Sequence, residues 1–172
     1  MNTLSRRTLL FSAVAMVPLF GCSANGQENL GIDTEANEAR YANSPWRRLT
    51  EAQWRERLDP LAFRVLRQEA TERAGTSPLN NERRRGTFVC AGCELPLFRS
   101  NWKFDSGTGW PSFTDIIREN AGTKPDLLLL QPRTEYHCAR CLGHQGHVFN
   151  DGPPPRRLRY CNNGAALRFV PA

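Results

Sequence analysis

The chain has 172 residues, a formal charge of +6, and 40% hydrophobic and 23% charged side chains. That is room for one domain with a useful core plus a tail. Setting aside residues 1–21, which hold Arg6 and Arg7 and no acid, lowers the charge to +4. The only basic clusters, Arg83-Arg84-Arg85 and Arg156-Arg157, are short, and no stretch reaches the roughly 18 apolar residues of a spanning helix. A nucleic-acid footprint and a membrane span in the mature chain are both disfavoured.

The first 22 residues read as an address. Ser5-Arg6-Arg7-Thr8-Leu9-Leu10 resembles a twin-arginine export signal, and Leu9 to Phe20 is a short apolar run with no stop-transfer pattern after it. Leu19-Phe20-Gly21-Cys22 resembles a lipoprotein cleavage box in which Cys22 becomes lipidated, although Phe20 is bulkier than the usual small residue. The expectation is an exported, periplasmic protein, anchored to the membrane through Cys22 or else cleaved nearby without a lipid. Residues 23–44 are polar and aperiodic and predict a flexible tether, leaving 45–172 as the folded domain.

Two short helices open that domain. Thr50 with Gln53 forms a capping box, with Leu49 placed to staple onto Trp54. Asp59-Pro60 starts the second helix, whose apolar face of Leu61, Phe63, Val65 and Leu66 runs to about Ala70 before Gly75-Thr76-Ser77-Pro78 breaks it. From Gly86 onward the pattern is short strands and turns. Strands are predicted at Thr87–Val89, Leu95–Phe98, Asp126–Leu130 (largely buried), Arg133–His137, Arg157–Cys161 and Ala166–Val170. The class is mostly β, antiparallel, with helices on the N-terminal side.

Six cysteines divide into three sets. Cys90/Cys93 and Cys138/Cys141 are two C-x-x-C knuckles, the donor set of a closed tetrahedral zinc site. A site with four thiolates has no open position, so its role is structural. For an exported chain the competing reading is a two-disulfide framework. A bridge within one C-x-x-C is strained and reducible, whereas cross-pairs between knuckles stay open. With the two knuckles 44 residues apart between Cys93 and Cys138, the metal is expected to clip two strand pairs of one sheet system. Cys22 ends the apolar run, and Cys161 stands alone.

Cys161 is either a buried inert thiol or a nucleophile. Arg159, two residues earlier on the same strand face, favours the ionised form and argues for the second reading. His144 and His147 follow the second knuckle; taken alone, either reads as a structural histidine, or His144 as a replacement for a cysteine in the zinc shell, and Gly143 and Gly146 suggest a turn where the backbone comes close to something. Asp151 is first of all a turn residue, and His137 receives no role. Gly107-Thr108-Gly109-Trp110-Pro111-Ser112-Phe113 is either a packed aromatic turn or an apolar pocket wall suited to a methyl group.

Three segments in order, Gly109-Trp110-Pro111-Ser112-Phe113, Gly146-His147-Val148-Phe149-x-Asp151-Gly152-Pro153 and Arg159-Tyr160-Cys161-x-Asn163, resemble the zinc-containing B-type methionine sulfoxide reductases. Lys103 to Gly107 strengthens the likeness, which runs from about Trp46 to Pro171. The resemblance implies two antiparallel sheets in a sandwich or open barrel with a substrate groove. It implies thiol-dependent reduction of protein-bound methionine (R)-sulfoxide, with Cys161 as nucleophile and His147, Asp151, Arg159 and Asn163 as the polar catalytic groups. Trp110, His144 and Phe149 would bind substrate, and Cys90, Cys93, Cys138 and Cys141 would hold zinc. Thr108 stands where many relatives carry a resolving cysteine, so regeneration by an external, thioredoxin-like thiol is expected. Gln145 and Asn162 depart from the family pattern near the site. The chain is expected to be a monomer. The competing readings are a zinc-ribbon binding module and a disulfide-stabilised structural lipoprotein.

Overall fold

The computed structural model describes residues 30–127 and 131–172, so the segment read as an export signal, Cys22 and the start of the predicted tether lie outside the described residues. Three α-helices precede the sheets. α1 (Thr34–Ala39) begins where the Asp33 carboxylate accepts from Ala36 N. α2 (Glu51–Arg57) carries the predicted Thr50/Gln53 capping box, and α3 (Pro60–Gln68) buries Ala62, Phe63, Val65 and Leu66 before Glu69 turns left-handed at φ 55°.

The tether therefore needs correction: from Leu30 onward the segment is folded onto the domain. Its anchor is polar, which is why periodicity did not reveal it. Asn37 is buried and its amide donates to Arg118 O at 2.7 Å and Ala121 O at 2.9 Å. Buried amides with both donors satisfied hold a segment as firmly as an apolar stripe does.

The strands follow in chain order. They are β1 (Gly86–Cys90), β2 (Pro96–Arg99), β3 (Lys103–Phe104), β4 (Ser112–Phe113), β5 (Ala121–Asp126), β6 (Arg133–Cys138), β7 (His144–Phe149), β8 (Arg159–Asn162) and β9 (Leu167–Pro171). They form two antiparallel sheets, ordered β2-β1-β9 and β3-β4-β8-β7-β6-β5, as expected of a mostly β chain. An aromatic layer joins them. Phe98 stacks on Phe113 with centroids 4.0 Å apart, and Phe88 and Tyr160 meet these rings edge-on.

The strand predicted at Asp126–Leu130 lies earlier, at Ala121–Asp126. Asp126 pairs with Arg133 at the end of the β5–β6 ladder, so β5 ends before the leucines. Leu127 is 71% exposed, and residues 128–130 lie outside the described residues. Pairing partners, rather than apolar content, ended this strand.

Candidate active site and metal centre

The two knuckles have the same local geometry. Glu94 N donates to Cys90 O and Leu142 N to Cys138 O, each at 2.8 Å, and both Glu94 and Leu142 are left-handed, at φ 63° and 60°. These turns bring four buried Sγ atoms within 4.8 Å of one another, with Cys90–Cys141 at 3.6 Å and Cys93–Cys138 at 3.4 Å. Zinc–sulfur bonds of about 2.3 Å in a tetrahedron need sulfurs about 3.8 Å apart, so the set fits the ion with a slight adjustment. All four thiols are free. The donors are those of a structural zinc, and zinc is the cofactor this cluster suits. Because Cys90 ends β1 and Cys138 ends β6, such an ion ties one sheet to the other. The expected clip within one sheet system is corrected accordingly.

On the other side of β7 lies a cleft of about 120 Å³ lined by Trp110, His147, Phe149, Cys161, Asn163 and Arg133 among others. Cys161 lies in the middle of the sheet that forms its floor, paired with His147 on β7 and with Ser112 on β4. The two central strands approach closely at this level. A Cβ on Gly146 would lie 1.9 Å from Cys161 O, so only glycine fits there. The close approach expected after the knuckle is found here, inside a strand and not in a turn.

Arg159 and Asp151 form a two-pronged ion pair, Nε–Oδ1 2.7 Å and Nη2–Oδ2 2.8 Å, with the guanidinium 4.3 Å over the Phe149 ring. The Arg159 bond holds the Asp151 carboxyl below the usual carboxylate range. Burial pushes the Cys161 thiol above its ordinary value, while Arg159 and the Thr108 hydroxyl pull it back without cancelling the shift. The expected thiolate is therefore corrected. Arg159 moderates the cost of burial, and the resting sulfur is a thiol.

His147 pairs with Asp126, not with Asp151: Nε2 lies 2.8 Å from Asp126 Oδ2, an oxygen that Arg133 Nη2 also reaches at 2.5 Å. Burial first, and then the Arg133 and His144 charges, draw the His147 pKa down despite Asp126, so the ring is neutral near pH 7. A neutral ring that donates through Nε2 keeps Nδ1 as an acceptor.

His144 does not line the cleft. It is buried behind His147 with ring centroids 5.4 Å apart, its Nδ1 is 3.1 Å from Glu135 Oε1, and Asn163 Nδ2 approaches its Nε2 at 3.5 Å. Gln145 faces the metal centre, with Nε2 3.4 Å from Cys90 Sγ. Asn162 turns its side chain inward, accepting from Tyr136 Oη at 2.7 Å and donating to Asn163 O at 2.6 Å.

Three residues at the site were missed by sequence reasoning. Asp126 and Arg133 were placed only as strand ends. Glu72 received no role, yet it is buried and joins both walls of the cleft. Its O accepts from Trp110 Nε1 at 3.1 Å, and its N donates to Asn163 Oδ1 at 3.0 Å. Its carboxylate receives Gly164 N at 2.5 Å and Ala165 N at 2.9 Å. No local pattern marks such a residue, since its partners lie 38 to 93 positions away.

Comparison with known proteins bears on the same region. A family model described as the SelR domain matches residues 58–171. The chain is 50% identical over 123 residues to a peptide methionine sulfoxide reductase MsrB of Bradyrhizobium diazoefficiens, covering 71% of this chain and 88% of that protein. It is 46% identical over 129 residues to the MsrB of Agrobacterium fabrum, covering 74% and 96%. It is also 49% identical over 136 residues to the chloroplastic peptide methionine sulfoxide reductase B1 of Arabidopsis thaliana, covering 78% and 65%. With the matched segment holding both cysteine knuckles, Trp110, His147 and Cys161, the chain belongs to the SelR-domain family of B-type methionine sulfoxide reductases.

Proposed function

We propose that the protein reduces methionine (R)-sulfoxide in proteins, with Cys161 taking the oxygen. The observation that supports this most directly is a partly exposed thiol on the floor of a cleft walled by an indole and flanked by an Arg–Asp pair and a neutral histidine. These are the parts that sulfoxide chemistry needs. The sulfur–oxygen bond is polar, the oxygen leaves only when protonated, and the nucleophile must meet the sulfur.

Cys161 Sγ attacks the sulfoxide sulfur while its proton is taken up at His147 Nδ1 and delivered to the sulfoxide oxygen. The S–O bond breaks as the oxygen, now a hydroxyl, passes to Cys161; methionine leaves, reduced by two electrons, and Cys161 is left as a sulfenic acid. Arg159 stabilises the negative charge that develops on the sulfur, and Asp151 and Phe149 hold its guanidinium in place. Trp110 receives the methyl group. In the opposite configuration the oxygen would face the indole, losing its hydrogen bonds, and that epimer is rejected. Asn163 fixes the strand end beside Cys161, and His144 acts from behind through His147.

Thr108 leaves no thiol beside Cys161, and the knuckle cysteines are held together in their own cluster. An external thiol, thioredoxin-like or of low molecular weight, attacks the sulfenic acid, expels water and forms a mixed disulfide. A second thiol resolves it. The motifs around Arg6-Arg7 and Cys22 support export to the periplasm with a lipid anchor at Cys22, ahead of a catalytic domain over 45–172 onto which residues 30–44 fold and which works as a monomer. Cell fractionation of the wild type and Cys22→Ala tests that part separately.

The activity is tested with the two epimers of a peptidyl methionine sulfoxide and dithiothreitol. The (R) epimer is consumed and the (S) epimer is not; Cys161→Ser consumes neither. Mass spectrometry after a single turnover without reductant finds Cys161 heavier by one oxygen. Turnover by Cys161→Ser, or preference for the (S) epimer, overturns the proposal.

A further inference from the structure

Gln145 lies between the two centres. Its side chain is fully buried, and its Nε2 donates to Cys90 Sγ at 3.4 Å and approaches Gly143 O at 3.5 Å. Its main-chain O accepts from Asn163 N at 2.9 Å and from Asn163 Nδ2 at 3.0 Å. The amide's orientation follows from its neighbours. A thiolate and a carbonyl both accept, so the NH2 end must face them. Oε1, at the other end, is buried with no hydrogen-bond partner.

That unpartnered oxygen argues that packing alone does not account for the residue. Leucine or methionine would fill the same space without burying an unmatched carbonyl. What an amide adds is the bond to sulfur. Four thiolates around Zn2+ leave the centre with a net charge of −2, buried among apolar groups such as Leu66, Trp54 and Leu95. A neutral N–H donor draws charge from one sulfur, making it less basic and less nucleophilic, without introducing a cation that would compete with the metal.

We propose that Gln145 is a positioning residue of the metal centre. Its amide holds Cys90 in the ligand geometry and slows release of the ion, while its main chain fixes Asn163 at the end of the catalytic strand. One residue thus touches both the zinc cage and the cleft.

The test uses zinc-loaded full-length protein with excess 4-(2-pyridylazo)resorcinol, following the absorbance of the zinc complex. Gln145→Met and Gln145→Leu are expected to release the ion about 10- to 100-fold faster than wild type, the range typical of lost outer hydrogen bonds to ligands. Gln145→Asn, whose shorter amide falls away from the sulfur, behaves like them. Release at the wild-type rate by Met and Leu variants overturns the proposal. A second measurement needs no substitution: in 113Cd-substituted protein, a scalar correlation between the cadmium and the Gln145 side-chain amide proton is expected through the N–H···S bond. If backbone amides of the knuckles show such correlations and Gln145 does not, the proposal is likewise overturned.

Discussion

At the scale of single residues, Cys161 and His147 are tuned by burial more than by charge. Desolvation raises the Cys161 thiol and lowers His147, which favours the neutral member of each pair. The sign for a pH profile follows. A thiol whose pKa is raised stays protonated through neutral pH and ionises only as the pH climbs. Alkylation of Cys161 by iodoacetamide should therefore accelerate with a midpoint above the ordinary thiol range, and Arg159→Met should move that midpoint further up by removing the cation that pulls it down. A midpoint below the ordinary range would contradict this account. His147 gives a second prediction. Its orientation depends on Asp126, so Asp126→Asn should lower kcat about tenfold, and His147→Ala about a hundredfold. Thermal unfolding should change little for His147→Ala, which separates a proton-transfer role from a structural one.

At the scale of elements, the pairing of β7 with β8 sets the cleft, and its requirements are steric. Gly146→Ala would push a methyl into Cys161 O, so the strands must separate or the Cys161 sulfur must move, and loss of activity is expected with the fold otherwise retained. Glu72 fixes the opposite wall from a loop with no regular structure. Glu72→Ala leaves the amides of Gly164 and Ala165 without their acceptor. It should cost about 2 kcal/mol in urea unfolding and raise KM through the loosened Trp110. Wild-type values of both would show that the loop is held by other contacts. This contrast explains what sequence could reveal. The cysteine knuckles, the Thr50 capping box and the strand bearing Cys161 rest on spacings of a few residues, and they were legible. The roles of Asp126 and Glu72, and of Asn37 in α1, depend on partners 21, 91 and 84 positions away, and no local pattern encodes such pairs. Leu127 misled for the same reason, because a strand ends where its ladder partner ends.

At the scale of the whole molecule, two sheets of unequal size share one aromatic layer, and the metal clamp lies at its edge. β1 belongs to the three-stranded sheet and β6 to the six-stranded one; Cys90 and Cys138 end these strands, and Cys93 and Cys141 lie in the turns that follow. A zinc ion there closes a long loop between the knuckles, so its binding energy adds to folding energy and restricts the unfolded chain. The end of β8 is tied to that clamp through Gln145 and Asn163, whereas the Phe98–Phe113 stack is not. Removing zinc should therefore act on two levels. Dialysis against a strong chelator under reducing conditions should lower Tm by at least about 10 °C, equivalent to roughly 3–4 kcal/mol for a domain of this size. Reductase activity should fall in parallel, and readdition of Zn2+ to the reduced protein should restore both. A metal-free protein that melts at the holo temperature would show that the aromatic layer alone holds the sheets together. Restored Tm without restored activity would place the effect of the ion on the sheets and not on the cleft.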